Sequence, residues 1–391
     1  MTVQLTKSDA RKLLANYHFE PRSQKEAFEF LGSVQYDPLK PIGRNHDLVL
    51  QARVSDYKID DWQNLAYSER FIYDAWDKQA SLVLMSDWPK RKIYHKWHKK
   101  NWQKRVLNDY PQAVKNVLAE LSERGPLASN DFEFQIHKKS WEGSWYGPKV
   151  TKNILRALWH TGVVATSHRN KARHVYDLAE NVIPKEYFEA ANISETKALE
   201  WLILSRHKAT GLLRPNANRE LWSMQISSKE RLELIAKLVK KGKLIRIEID
   251  GVLFHACPDF LESKITKLDK MIFIAPLDQF VWDRQALKEI FEFEYVWEVY
   301  KPEKLRKWGY YVLPVLYNDK LVARFDSRYK DGVWQLYRWY WEDVNMIDAK
   351  MLTSLSRAVA EFKRYLGATK IKLNKGMDIK TRQAWQLGDK L

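Results

Sequence analysis

The feature of this sequence that most constrains its fold is an order of helical and strand-like segments that occurs twice. In the first occurrence a helical pattern at 111–124 ends at Gly125-Pro126, "LASNDF" predicts the start of a second helix, and "YGPKVTKNILRALWHTG" predicts a third at 146–161. The stretch "VVATSHRNKARHVYDL" then predicts two strands around a basic turn. Three helices followed by a hairpin is the order of a winged-helix domain.

The second occurrence lies further along the chain. Helices are predicted near 194–207 and 228–241, and "KLIRIEIDGVLFHACP" predicts two strands that turn at Asp250-Gly251, a dipeptide that favours tight hairpins. The N-terminal segment is a candidate for a third copy, although no wing is obvious there. The irregular spacing between copies indicates duplication of a domain type and argues against a solenoid repeat.

The N-terminal region begins with two short predicted helices, whose N-caps are Thr6 and Ser23. Residues 60–85 are predicted to be helical in pieces. Trp88-Pro89 is expected to end this helical region, because a proline moves the preceding residue out of the α region.

The C-terminal region changes character after residue 270. A strand, a loop and a helix are followed by three strands with turns at Asn318-Asp319 and Asp331-Gly332, and a helix is predicted at 347–366. Short strands joined by tight turns predict a small barrel or a curled sheet. We therefore predict an α+β fold of tandem winged-helix domains followed by a small C-terminal β-barrel, with domains at 1–110, 111–185, 186–265 and 266–391.

The charge of the chain indicates a polyanionic partner. Lys and Arg exceed Asp and Glu by 66 to 49, which gives a net charge of +17, and nucleic acid is the leading candidate. Residues 90–105 carry eight Lys or Arg and no acid, with Trp and Tyr between them, and a second basic cluster follows in the turn "SHRNKARH". A solvated helix face would explain the first cluster equally well. The DNA-binding candidates in these clusters are Lys96, Lys99, Lys100, His168, Arg169, Lys171 and Arg173.

Several common catalytic and cofactor motifs do not occur in the sequence. There is no GxxxxGK[ST], HExxH, CxxC or GxSxG pattern, and the single cysteine, Cys257, cannot form a thiolate metal site alone. We therefore expect neither a cofactor nor a metal. The absence of a long apolar run and of a signal-peptide pattern predicts a cytoplasmic protein that does not enter the membrane, and without a long heptad run we expect a monomer.

One short stretch offers catalytic chemistry. In "VQYDPLKP" the residues Gln35 and Asp37 are two apart, so in an extended segment they project from the same face and can hold one water molecule between them, while Tyr36 points the other way into the core. By itself Gln-x-Asp is a short pattern that arises by chance. A polar edge before a proline turn would explain it equally well.

Four longer stretches identify a resemblance. "VQYDPLKPIGRNHDLVLQAR", "SDWPKRKIYHKWHKKNW", "YGPKVTKNILRALWHTGVVATSHRNKARHVYDLAENVIP" and "APLDQFVWDRQALKEIFEFEYVWEVYKPEKLRKWGYYVLPVL" resemble the bacterial winged-helix DNA glycosylases that remove alkylated purines and unhook interstrand crosslinks. The most specific part is the C-terminal block with its DR-x-x-L helix start and GYYVLP. The similarity extends over nearly the whole chain.

The resemblance implies an activity and assigns roles to the short motif. The family has a Gln-hydrophobic-Gln or Gln-hydrophobic-Asp motif in its active site, which matches Gln35 and Asp37 here, with a bulkier and more polar Tyr36 in the middle position. It implies that Asp37 stabilises the oxocarbenium-like sugar and takes a proton from water, and that Gln35 positions this water. The implied partner is double-stranded DNA with alkylated or crosslinked purines.

Arg44 and His46 follow the motif and are further candidates for contact with phosphates beside the lesion. Arg44 can equally form a structural ion pair with Asp47. The competing function is a non-catalytic winged-helix regulator or DNA-binding scaffold, which the basic wing would also suit. An RNA-binding protein is a third possibility, but no RRM or KH signature is visible.

Overall fold

The computed structural model describes residues 2–133, 150–222 and 225–391, which form a mixed α and β structure. The strands are β1 Thr2–Leu5, β2 Ser33–Gln35, β3 Ile72–Trp76, β4 Ala80–Leu84, β5 Leu127–Ala128, β6 Val164–Asn170, β7 Arg173–Leu178, β8 Ile245–Ile249, β9 Val252–Ala256, β10 Met271–Phe273, β11 Val312–Tyr317, β12 Lys320–Lys330, β13 Val333–Trp341 and β14 Lys370–Lys372. The helices are α1 Lys7–Phe19, α2 Gln24–Leu31, α3 Asn45–Gln51, α4 Trp88–Trp102, α5 Pro111–Arg124, α6 Val150–His160, α7 Ala179–Val182, α8 Lys185–Phe188, α9 Glu195–Thr210, α10 Arg219–Trp222, α11 Ser228–Lys240, α12 Arg284–Phe291, α13 Ala349–Leu366 and α14 Ile379–Lys390.

The chain divides into two compact units. The first unit contains residues 1–62 and 202–391, and the second contains residues 63–201. The finer boundaries predicted from the sequence, at residues 110, 185 and 265, stay predictions. Among the helices of the described ranges, none is long and apolar enough to span a membrane.

The two N-terminal helices of the first unit begin where the sequence predicts. The Thr6 hydroxyl accepts a hydrogen bond from the backbone N–H of Asp9, 3.1 Å away, and caps α1. Ser23 and Glu26 form a reciprocal capping box at the start of α2. Both predicted N-caps are therefore confirmed.

The prediction that residues 60–85 are helical in pieces is confirmed for Asn64–Ser68, which form a short helical turn, and is wrong for 72–84. Strands β3 and β4 form an antiparallel hairpin in the second unit, with Tyr73 opposite Val83. Successive residues of β3 are buried, so the strand shows no polar alternation and cannot be told from a buried helix by periodicity. Pro89 lies in the first turn of α4, where a missing N–H costs nothing, and so it begins a helix instead of ending one.

The rest of the second unit follows the predicted order where it is described. Helix α5, strand β5, helix α6 and the β6–β7 hairpin occur in sequence, and the strands form a sheet in the order β5-β7-β6. Val117, Ile154 and Leu155 are fully buried in its core. The prediction that "LASNDF" starts a helix is wrong for the described residues, because 127–128 form strand β5 and a turn follows; residues 134–149 lie outside the described part of the chain. The winged-helix assignment therefore stays a prediction.

A second small sheet belongs to the first unit. Strands β8 and β9 form the predicted hairpin, and Asp250 and Gly251 have the positive φ angles of 46° and 77° that this tight turn requires. The N-terminal strand β1 pairs in parallel with β8, with Val3 opposite Ile247. The sequence analysis did not predict this pairing, because four residues carry too little pattern.

The C-terminal strands of the first unit form a curled half-barrel sheet in the order β10-β11-β12-β13-β14. The turns at Asn318-Asp319 and Asp331-Gly332 lie where predicted, and Asp331 and Gly332 have φ angles of 50° and 79°. Helix α13 confirms the predicted C-terminal helix. Helix α14 was not predicted, and it packs so closely on α13 that a Cβ at Gly388 would lie 2.5 Å from the Ser356 carbonyl oxygen.

Candidate active site

The Gln-Tyr-Asp motif lies at the end of β2 and is held by residues far along the chain. The Asn45 side chain donates a hydrogen bond to the Gln35 carbonyl at 2.9 Å and accepts one from the backbone N–H of Leu277 at 3.0 Å. The Gln279 amide donates to the Ser33 carbonyl. The motif is therefore fixed by the segment "APLDQF" of the C-terminal block, which explains why the motif and this block occur together.

A buried ion pair secures the same segment. Arg53 donates to both carboxylate oxygens of Asp278, at 2.7 and 2.8 Å, and neither side chain is exposed. A bidentate pair of this kind fixes orientation as well as distance. It holds the "APLDQF" segment against the C-terminal end of α3, the helix that follows the motif.

Gln35 and Asp37 differ in their surroundings. Gln35 is 7% exposed, and its Oε1 has no hydrogen-bond partner among the described residues. Asp37 is half-buried and accepts a hydrogen bond from the backbone N–H of Leu39 at 2.8 Å. Burial raises the pKa of Asp37 above its usual value, and the Leu39 bond only partly opposes this. The motif thus combines a carboxylate of increased basicity with a buried amide oxygen that can accept a hydrogen bond from a ligand or water.

Tyr36 points into the core, as predicted. It is 6% exposed and stacks on the His46 ring, with ring centroids 4.3 Å apart and planes inclined by 12°. Trp62 meets both rings edge-on. His46 is completely buried in this stack, so its predicted contact with a phosphate is wrong: the imidazole supports Tyr36 and has no surface to offer DNA.

A cleft of about 1220 Å³ lies beside the motif in the first unit. One wall is the loop 39–44 and another is the end of the C-terminal sheet at 326–331, and the Tyr329 N–H bonds the Pro41 carbonyl at 2.7 Å. Because Leu39 both lines the cleft and donates to the Asp37 carboxylate, Asp37 is tied to the cleft wall.

The cleft carries charges of both signs. Its cationic residues are Lys40, Arg44, Arg306, Arg328, Lys330 and Arg338, and its acidic residues are Asp47, Asp60, Glu303, Asp326 and Asp331. Arg44 forms an ion pair of 2.8 Å with Asp60, and not with the neighbouring Asp47. Asp47 is buried and accepts hydrogen bonds from the Tyr57 hydroxyl and the Asp60 N–H, and burial raises the pKa of Asp47 to about 6.

Tyr311 is a candidate site residue that the sequence analysis missed. It is fully buried, and the pKa of its hydroxyl is raised by burial and then by the charge of Asp37, which places the ring near the motif. Asp326 accepts hydrogen bonds from the N–H groups of Tyr310 and Tyr311, at 2.9 and 3.1 Å. A Cβ at Gly309 would collide with the Asp326 carboxylate. The "GYY" stretch was the available sequence signal. Its pairing with Asp326 is visible only in the fold.

The basic candidates of the second unit do not share one environment. Those with exposed side chains are Lys96, Lys99, Lys100, His168, Lys171 and Arg173. Lys96 pairs with Glu195 at 2.5 Å. Arg169 is buried and donates to Asp74 at 2.6 and 2.9 Å, so its predicted contact with DNA is wrong. Its partner lies 95 residues earlier in the chain and could not be seen from the local absence of acids.

In the described ranges, no group of three or more His, Cys, Asp or Glu side chains could hold a metal ion. Cys257 is half-buried, and burial raises the pKa of its thiol to about 12, so it is not a nucleophile at neutral pH.

Comparisons with known proteins identify the family of this chain. A family model described as "DNA glycosylase AlkZ-like" matches residues 28–365, which include the motif, the residues that line the cleft and the whole second unit. Among solved structures, the Streptomyces sahachiroi DNA glycosylase AlkZ is similar, with a TM-score of 0.64 and 12% sequence identity over 95% of this chain and 100% of that chain. The structural likeness shows a shared fold, and the family match covers most of the sequence. The chain belongs to the AlkZ-like DNA glycosylase family.

Proposed function

We propose that this DNA glycosylase is monofunctional, that it hydrolyses the N-glycosidic bond of purines alkylated at N7 or N3 in double-stranded DNA, and that it unhooks interstrand crosslinks. The observation that carries the proposal is the hydrogen bond from Leu39 in the cleft wall to the Asp37 carboxylate, two residues beyond the buried Gln35. A half-buried carboxylate of raised pKa and a buried amide oxygen with no partner among the described residues are the two groups that activation of one water molecule requires.

The proposed reaction needs little assistance at the base. A purine alkylated at N7 or N3 is already cationic, so when the C1′–N bond breaks, its electron pair leaves with the base and neutralises that charge. The sugar becomes oxocarbenium-like, and the Asp37 carboxylate stabilises it. The oxygen of a water molecule then bonds to C1′ and Asp37 takes one proton from it. The products are a free base and an abasic site with an intact strand.

Gln35 orients the water in this scheme. An amide oxygen accepts a hydrogen bond without taking up the proton, so it fixes the nucleophile and leaves proton transfer to Asp37. Tyr36 contributes indirectly, because its stacking on His46 locks the backbone between the two reacting side chains. The bulky middle residue of the motif thus serves packing.

The size of the cleft supports the crosslink part of the proposal. At about 1220 Å³ it exceeds the range of about 300–1,000 Å³ that is usual for small-ligand pockets. A crosslinked purine cannot rotate fully out of the helix, because it stays attached to the opposite strand. A wide cleft with the motif at its wall can take such a base with part of the duplex.

Two assays test the substrate class. Duplex DNA containing N7-methylguanine should release free base and acquire alkali-labile sites, and a duplex with an N7–N7 guanine crosslink should separate into single strands on a denaturing gel. Undamaged DNA is the control and should release nothing. Binding of damaged DNA without release of base would contradict the proposal and favour a non-catalytic DNA-binding protein.

A further inference from the structure

The segment Tyr300–Lys307, "YKPEKLRK", displays two large side chains at the rim of the cleft. Tyr300 is 83% exposed and Leu305 is 68% exposed. Glu303 and Arg306, which flank the Lys304-Leu305 pair, line the cleft. Leu305 is therefore an apolar group exposed to water directly beside the cleft.

The segment is firmly anchored, so the exposure of Leu305 does not come from a loose loop. Glu298 is 2% exposed, and its carboxylate accepts hydrogen bonds from Lys301 Nζ and from the N–H groups of Lys307, Trp308 and Gly309 at 2.8–3.3 Å. The Arg306 Nε donates to the Lys301 carbonyl at 2.9 Å, and the guanidinium lies over the Tyr310 ring at 4.8 Å. The backbone is fixed on both sides of Leu305.

The charge around Leu305 matches a nucleic-acid backbone. The segment carries four cations, of which Lys301 is paired with Glu298 at 2.9 Å, so Lys304, Arg306 and Lys307 stand against one exposed acid, Glu303. Cationic side chains that neutralise phosphates beside an apolar side chain are the combination used by proteins that insert a wedge between base steps. A purely apolar partner surface would not require these charges.

We propose that Leu305 is a positioning residue that inserts into the base stack next to the target purine, with the surrounding cations on the flanking phosphates. This rests on the proposed function, in which the substrate is a damaged duplex. Insertion unstacks one step and kinks the helix, which exposes the N-glycosidic bond towards Asp37 without rotating the base out of the duplex. A crosslinked base requires such a route.

The first test measures unstacking directly and needs no catalysis. A duplex with a tetrahydrofuran abasic analogue and 2-aminopurine as the adjacent base is titrated with protein. Wild type should raise the 2-aminopurine fluorescence, Leu305→Ala should abolish the rise at saturating protein, and Leu305→Met should restore it. Leu387→Ala, which truncates a 51%-exposed leucine on α14 away from the cleft lining, should behave as wild type. A full rise with Leu305→Ala overturns the inference.

The second test separates this inference from the proposed chemistry. With N7-methylguanine substrates, Leu305→Ala should lower single-turnover excision at least about tenfold in duplex DNA and leave single-stranded DNA unaffected, since only the duplex must be unstacked. Equal losses on both substrates would contradict a wedge. If wild type releases no base while the fluorescence result holds, the proposed hydrolysis fails and the insertion stands.

Discussion

Single residues of this protein show how burial decides between catalysis and support. Asp37 is half-buried with a raised pKa, whereas His46 and Arg169, which the sequence favours as DNA contacts, are packed inside. The motif itself could be found from the sequence because its residues are adjacent. The burial of His46 and Arg169 could not be predicted from the sequence, because the residues that enclose them come from other elements of the chain.

The raised pKa of Asp37 predicts opposite pH dependences for activity and stability. The general base must be ionised, so excision should rise with pH through the raised pKa and level off above it. Burial disfavours the ionised form of Asp37 in the folded protein. Neutral Asp37 therefore stabilises the fold fully at pH values below the pKa that Asp37 has in the unfolded chain. This stabilisation is lost as the pH rises through the higher pKa of Asp37 in the folded protein.

Asp37→Asn should therefore leave the melting temperature at pH 7 unchanged or raise it. Thermal unfolding at pH 7 and single-turnover rates between pH 4 and 8 measure the two effects. Asp47→Asn is the control for the rate profile, because the pKa of Asp47 is also raised, to about 6. If Asp47→Asn shifts the pH at which the rate falls on the acidic side, Asp47 and not Asp37 controls the rate.

The buried Arg169–Asp74 pair predicts a contrast between two neighbouring arginines. Arg169→Ala leaves the Asp74 carboxylate buried without its partner and should lower the free energy of unfolding by about 3–5 kcal/mol. Arg173→Ala removes an exposed side chain and should change it by less than about 0.5 kcal/mol. Urea unfolding followed by tryptophan fluorescence measures both, and similar values would contradict a structural role for Arg169.

Helices and strands differ in how far the sequence predicts them. Capped helices such as α1 and α2, and hairpins whose turns need positive φ, such as Asp250-Gly251, are specified by a few adjacent residues and were predicted correctly. The sequence predicts helix where the β3–β4 hairpin lies, because a buried strand shows no alternation of apolar and polar residues. The parallel β1–β8 pair joins residues more than two hundred positions apart, and no local pattern encodes it.

The basic helix α4 carries a prediction about salt. Lys99 and Lys100 are exposed in its last turn, so if they contact phosphates, replacing both with Gln should flatten the slope of log K against log salt concentration by about one to two units. Lys96→Gln is a control on the same helix and should change the slope less, because Lys96 is paired with Glu195. Fluorescence anisotropy at several salt concentrations gives the slopes, and an unchanged slope would remove α4 from the DNA interface.

The molecule as a whole combines distant parts into one site. The first unit is discontinuous in sequence, and its C-terminal block supplies Leu277 and Gln279 to hold the motif and Tyr311 beside it. The family likeness extends over most of the chain, whereas the proposed reacting groups occupy two positions, Gln35 and Asp37. The positions of these contacts could not be derived from the sequence, because they depend on tertiary packing.

This arrangement also predicts the type of glycosylase. A lyase needs an amine nucleophile, and the nearest lysine in sequence, Lys40, is exposed to solvent at the cleft, unlike the desolvated lysines that act as nucleophiles. The product should be an abasic site in an intact strand, borohydride should trap no protein–DNA adduct, and EDTA should not inhibit. An adduct that disappears in Lys40→Ala would transfer the chemistry from Asp37 to the amine.

The most direct test of the account compares two carboxylates of the cleft region. Asp37→Asn should lower single-turnover release of N7-methylguanine by at least about 100-fold with unchanged affinity for the damaged duplex, because it removes the general base. Asp331→Asn removes the same charge from an exposed turn that lines the cleft and should keep the rate, and Gln35→Ala should lose less than Asp37→Asn. A rate for Asp37→Asn close to wild type, or a loss of rate matched by an equal loss of affinity, would contradict the account.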